Sequence, residues 1–81
     1  MTEAELRRAA AELLLSIRDH KTRVAAEREL TAATVVRRGN SAGFVLPALL
    51  GYGALESTLP EHGFLQLVLA ASQRELEDAL G

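Results

Sequence analysis

Cysteine is absent from this chain, and with it go disulfides and thiolate metal sites. Tryptophan is absent too, and Phe44, Tyr52 and Phe64 are the only aromatic residues. The two histidines, His20 and His62, stand far apart in sequence and supply only part of a metal site. No apolar run approaches the roughly 20 residues needed to span a bilayer. No signal peptide is visible either, because the first residues are acidic, alanine-rich and helical in pattern. The expectation is a cytoplasmic protein without metal or cofactor.

What remains is Ala, Leu and Val, which supply most of a 48% hydrophobic share across 81 residues. Close-packed helices suit this composition better than a sandwich rich in aromatic and β-branched residues. One domain spanning residues 1–81 is the natural unit. A chain this short buries only about 60% of its unfolded surface, so its core has little stability to spare. With disulfides excluded, burial against another chain is the supplement most open to it.

Charge divides the chain unevenly. Residues 1–40 carry eight of the nine basic groups against six acids, a balance of +2, whereas residues 41–81 carry Arg74 against five acids, a balance of −4. The net charge of −2 offers no general attraction to nucleic acid, and the last element holds only Arg74 where a recognition helix would be basic.

The clearest local signal is the start. Thr2 and Glu5 form a T-x-x-E capping box. Apolar residues then recur at Leu6, Ala9, Ala10, Leu13, Leu14 and Ile17, the spacing of one helix face. The stripe stops at residues 18–23 and resumes at Val24, Leu30, Ala33 and Val36. Two readings fit. One is a single helix over about residues 3–37, roughly 50 Å long at 1.5 Å per residue. The other is an αα-hairpin turning at Asp19–Thr22. The Asp19–Arg23 and Arg23–Glu27 spacings bridge the interval and favour the single helix.

Gly39-Asn40-Ser41-Ala42-Gly43 then breaks the pattern with turn chemistry. A helix over about 42–51 is the preferred continuation. The alternative is a short β-hairpin, with arms Thr34–Arg38 and Phe44–Pro47 across a Gly-Asn loop. A second T-x-x-E box, Thr58-Leu59-Pro60-Glu61, predicts a helix over about 59–80 and places His62 in its first turn. Ser72-Gln73-Arg74-Glu75 is a third box, which leaves open a buried strand over 64–70 followed by a shorter helix. The preferred fold class is therefore all-α. It is a small helical bundle, a long amphipathic N-terminal helix or αα-hairpin packed with two shorter C-terminal helices.

A helix of about 50 Å would overhang so small a bundle. Tracts 39–55 and 62–73 carry no formally charged residue. Both features point to a homo-oligomer or a helical protein partner. Leu6, Leu13, Ile17, Val24 and Tyr52 are the candidate interface residues.

The most chemical-looking segment holds Arg37, Arg38, Gly39, Asn40, Ser41 and Gly43. Two guanidinium groups before a glycine-rich turn that opens a helix would bind an anion, such as a small phosphate-containing ligand or nucleotide. The spacing matches neither a P-loop nor a dinucleotide fingerprint. A plainer explanation competes with it, since arginine and glycine both favour helix C-termini.

No nucleophile–base pair is evident, so no catalytic residue is assigned and an enzyme is not expected. The expected function is a non-enzymatic helical protein–protein interaction module, or a small regulatory or adaptor protein acting through self-association. The alternative is an anion- or nucleotide-binding protein using the Arg37–Gly43 turn. Neither nucleic acid nor a membrane is an expected partner.

Overall fold

The computed structural model describes residues 2–81. It overturns the all-α helical bundle, for three helices flank a four-stranded mixed sheet.

The capping box forms as its chemistry dictates. Glu5 N donates to the Thr2 hydroxyl at 3.2 Å, and the Thr2 amide donates to the Glu5 carboxylate at 3.3 Å. This opens helix α1, Glu3–Leu14, which buries Leu6, Ala10 and Leu14 at intervals of four. The single 35-residue helix does not exist. Ile17 turns into the core, and the Asp19 side chain caps a new helix by accepting from the Thr22 amide at 3.2 Å and from the Thr22 hydroxyl. Asp19 thus serves as an N-cap, a position it favours over a helix interior. Arg23 pairs with Glu27 at 3.8 Å.

Helix α2, His20–Ala32, packs against α1. The longest extent of the molecule is 32 Å, too short for a 50 Å rod. Folding the rod in two resolves the length mismatch within one chain.

Strands β1, Val36–Arg38, and β2, Ser41–Val45, pair antiparallel across the two-residue Gly39-Asn40 loop. Gly39 takes φ +53° at the first loop position, where a tight hairpin turn favours glycine. The expected helix over 42–51 is thus replaced by β2 and a single 3-10 turn, Pro47–Leu49. The expected helix over 59–80 is replaced as well. A 3-10 turn, Pro60–His62, leads into strand β4, Leu65–Ala70, and only Gln73–Leu80 is helix α3. The run Leu-Gln-Leu-Val-Leu-Ala is nearly all apolar because β4 is central and covered on both faces. Ser72 caps α3 by accepting from Glu75 N at 3.2 Å.

Strand β3, Leu55–Leu59, completes a sheet of order β1-β2-β4-β3. β2 and β4 run parallel, with Ser41 opposite Gln66 and Val45 opposite Ala70, while β3 is antiparallel to β4. Ala42, Phe44, Leu65, Leu67 and Leu69 face α1 and α2 in the larger core. Val68 and Ala70 face α3 and its Leu76 in a smaller one. Gly43 lies under α3, where a Cβ would sit 2.7 Å from the Val68 carbonyl oxygen and collide with Leu76. Among the described residues, no helix is long and apolar enough to cross a membrane.

Candidate functional site

The Arg37–Gly43 segment is a hairpin, not the mouth of a helix. Ser41 and Gly43 lie within β2, and no helix follows the turn to present free amides. Arg37 and Arg38 project to opposite faces of β1, as successive strand residues must, so they do not form a paired clamp. Arg38 reaches Glu77 of α3 at 3.9 Å, while Arg37 is exposed and makes an interaction of its own. Asn40 donates through Nδ2 to the carbonyls of Gly63 at 2.9 Å and Phe64 at 3.0 Å, and its own carbonyl accepts from Gln66 N at 3.0 Å. Its amide therefore ties the hairpin tip to the β3–β4 connection.

The five residues singled out as an interface scatter. Leu6 and Ile17 are buried in the core of the chain itself, Leu13 packs on that core and Val24 is half-buried. Only Tyr52 stands exposed.

His62 lies in the 3-10 turn that links β3 to β4, not in a long helix. Its Nδ1 is 3.7 Å from Glu5 Oε2. The two residues share an open groove of about 160 Å³ with Arg8, Ala9, Glu12 and Glu61. The Thr2 hydroxyl, then the Thr2 amide, and more weakly the His62 ring, hold the Glu5 carboxyl below the usual carboxylate range. The groove lacks a nucleophile beside a base. Among the described residues no cluster of three His, Cys, Asp or Glu side chains could hold a metal ion, and no polar side chain is buried.

The feature that stands out is the sheet edge at β3. This strand bonds β4 on one side, and among the described residues no backbone hydrogen bond joins its other side to another element. Along it, Leu55, Ser57 and Leu59 are half-buried while Glu56 and Thr58 are exposed. The other edge, β1, is three residues long and carries two arginines. Short length and charge are the usual means of blunting an edge.

β3 is also flanked by exposed apolar side chains at both ends. Leu50 (82% exposed) and Tyr52 (45%) precede it, and Phe64 (70%) follows. Phe64 is held at φ +61°, a left-handed backbone that costs a bulky side chain free energy. The two carbonyls clamped by Asn40 fix the backbone there.

β3 is hard to recognise in the sequence. Its signal is slight, two leucines four residues apart around the polar run Glu56-Ser57-Thr58, between Gly53 and Pro60, a spacing that a strand and a helical turn share. Thr58 also opens a T-x-x-E box, which points to a helix cap.

No protein family, no curated protein and no solved structure matches the chain.

Proposed function

We propose that the chain is a non-enzymatic interaction module acting by self-association, and that it works by extending its sheet instead of through a helix face. The observation that carries this reading is the open edge of β3 between exposed apolar side chains. Unpaired strand amides and carbonyls are a template for another strand, and flanking apolar pockets or anchors add affinity. The strained, exposed Phe64 supports it further, because such backbone cost tends to persist where a side chain must be displayed. A small regulatory or adaptor role fits such a module. A cytoplasmic setting belongs to the same proposal, since a chain without cysteine draws no stability from an oxidising compartment.

The anion-binding alternative has no comparable support. Arg37 and Arg38 diverge to opposite faces, and Ser41, Ala42 and Gly43 lie in a strand ladder and not at a helix N-terminus.

Sedimentation velocity from low micromolar to millimolar concentration tests the proposal. The expected result is a reversible dimer whose fraction rises with concentration. A monomer with intact circular dichroism at every concentration would overturn it.

A further inference from the structure

We infer that the partner at the β3 edge is a second copy of this chain, paired antiparallel about a two-fold axis midway between Ser57 and its mate. This rests on the self-association proposed above and specifies its register.

A two-fold axis perpendicular to the sheet is the operator that pairs identical strands antiparallel. It keeps the helix-bearing face of both copies on one side. Directly opposite residues then share a face, so the axis passes midway between a residue and its own mate, and three registers are open to β3. Centred on Glu56, the axis places two carboxylates against each other, which like-charge repulsion disfavours. Centred on Thr58, it runs Glu56 against Pro60, which has no amide to donate.

Centred on Ser57, all five residues overlap. Leu55 faces Leu59 of the copy on the side of α1 and α2, Glu56 faces Thr58, and Ser57 faces Ser57. The strand is palindromic in polarity, and the half-exposed Leu55 and Leu59 cover each other. The same register carries the Leu50–Tyr52 end of one copy to the Phe64 end of the other. Each exposed apolar side chain flanking the strand thereby meets one on its mate. Edge β1 has no such solution, because an axis at its centre opposes Arg37 to Arg37.

The absence of cysteine makes the register directly measurable. Opposite antiparallel residues have Cα atoms about 4.5–5.5 Å apart, within the span of a disulfide. On mild oxidation, Ser57→Cys is expected to convert to a covalent dimer. Glu56→Cys and Thr58→Cys are expected to stay monomeric separately and to cross-link when mixed. Thr58→Glu, a surface change, should raise the dimer Kd about tenfold by facing Glu56 of the copy, and Thr58→Lys should lower it. Cross-linking of Glu56→Cys or Thr58→Cys alone to the extent of Ser57→Cys would overturn the register. A wild-type dimer with no cross-linking in any variant would overturn β3 as the seam while leaving self-association standing. A wild-type monomer throughout would overturn both.

Discussion

The guanidinium of Arg7 lies 5.3 Å from the centroid of the Phe44 ring, so a cation of α1 caps the most voluminous buried side chain of β2. Beyond the ring, Arg7 donates to the carbonyls of Leu30 and, at 2.7 Å, Ala33. These carbonyls lie at the C-terminal end of α2, where the Leu30 oxygen otherwise takes only a long 3.4 Å bond from the Ala33 amide and the dipole favours a cation. One side chain thus joins both helices to the sheet.

Arg7→Ala is expected to destabilise the fold by about 2–3 kcal/mol, from lost charge-assisted hydrogen bonds and the ring contact. The exposed Glu3 pair at 2.6 Å adds little to this. Arg7→Lys keeps the cation but loses the fork that spans two carbonyls, and should fall between. Urea denaturation compares the three. A loss under 0.5 kcal/mol, an order-of-magnitude threshold for ordinary surface changes, would refute the role.

At Gly43 the prediction concerns backbone approach. A Cβ there meets the Val68 carbonyl oxygen at 2.7 Å, and a backbone atom cannot swing aside as a side chain can. Gly43→Ala should cost about 2 kcal/mol through forced displacement. Adding Leu76→Ala, which empties the space on the α3 side, should not restore it. Because Leu76 is itself buried, the double variant is compared with Leu76→Ala alone, and a Gly43→Ala cost that vanishes in that background would place the constraint in the side chain instead.

Asn40 and Phe64 are expected to respond in opposite directions. Asn40→Ala should lose about 1–2 kcal/mol with the two carbonyl bonds. Asn40→Asp should lose more, because it turns a carboxylate oxygen toward those carbonyls. Phe64→Gly removes the left-handed penalty at φ +61° and should stabilise the monomer by about 1 kcal/mol, yet weaken self-association. Thermal unfolding and sedimentation of the same sample give both readings, and an unchanged dimer fraction would exclude Phe64 from the interface.

Acid should loosen the two helix starts. Glu5 and Asp19 both have carboxyls held low, Glu5 chiefly by the Thr2 hydroxyl and Asp19 by the hydroxyl and amide of Thr22. A folded-state pKa below the unfolded one means stability that is present above the ordinary carboxylate range, about pH 4. That stability is lost as pH falls through the depressed values. Melting temperature should therefore drop more steeply below about pH 4 in the wild type than in a Glu5→Gln, Asp19→Asn double variant. Parallel curves would show that these caps do not couple to protons.

Cap chemistry is the part of this fold most open to reading from sequence, because it is satisfied within four residues, although the third box, Thr58–Glu61, closes a strand and opens only a 3-10 turn. Thr2–Glu5 and Ser72–Glu75 both start helices where they stand. Asp19 was misjudged because an i,i+4 spacing to Arg23 is equally compatible with a cap, and only the inward turn of Ile17 decides between them. Leu65–Ala70 fits a helical stripe and a doubly buried strand alike, since an apolar run of six carries no period of its own. What Gly43 requires depends on Val68, and what Asn40 does depends on Gly63 and Phe64. No local pattern holds that information. The interface was sought on helix faces for the same reason, whereas an open edge exists only once strand order is known.

That strand order also bears on how the chain reaches its native state. β1–β2 and β3–β4 are each joined by a short connection, whereas β2 meets β4 in parallel only across the intervening edge strand. Folding then amounts to two local hairpins closing along one distant seam, and closure entropy must be spent before that seam returns anything. The β2–β4 seam, where Gly43 stands opposite Val68, is therefore expected to form in the rate-limiting step. Kinetic Φ-values are accordingly expected to be high for Ala42 and Leu67 and low for Leu76 on the late-docking α3, with the reverse ranking placing α3 in the nucleus.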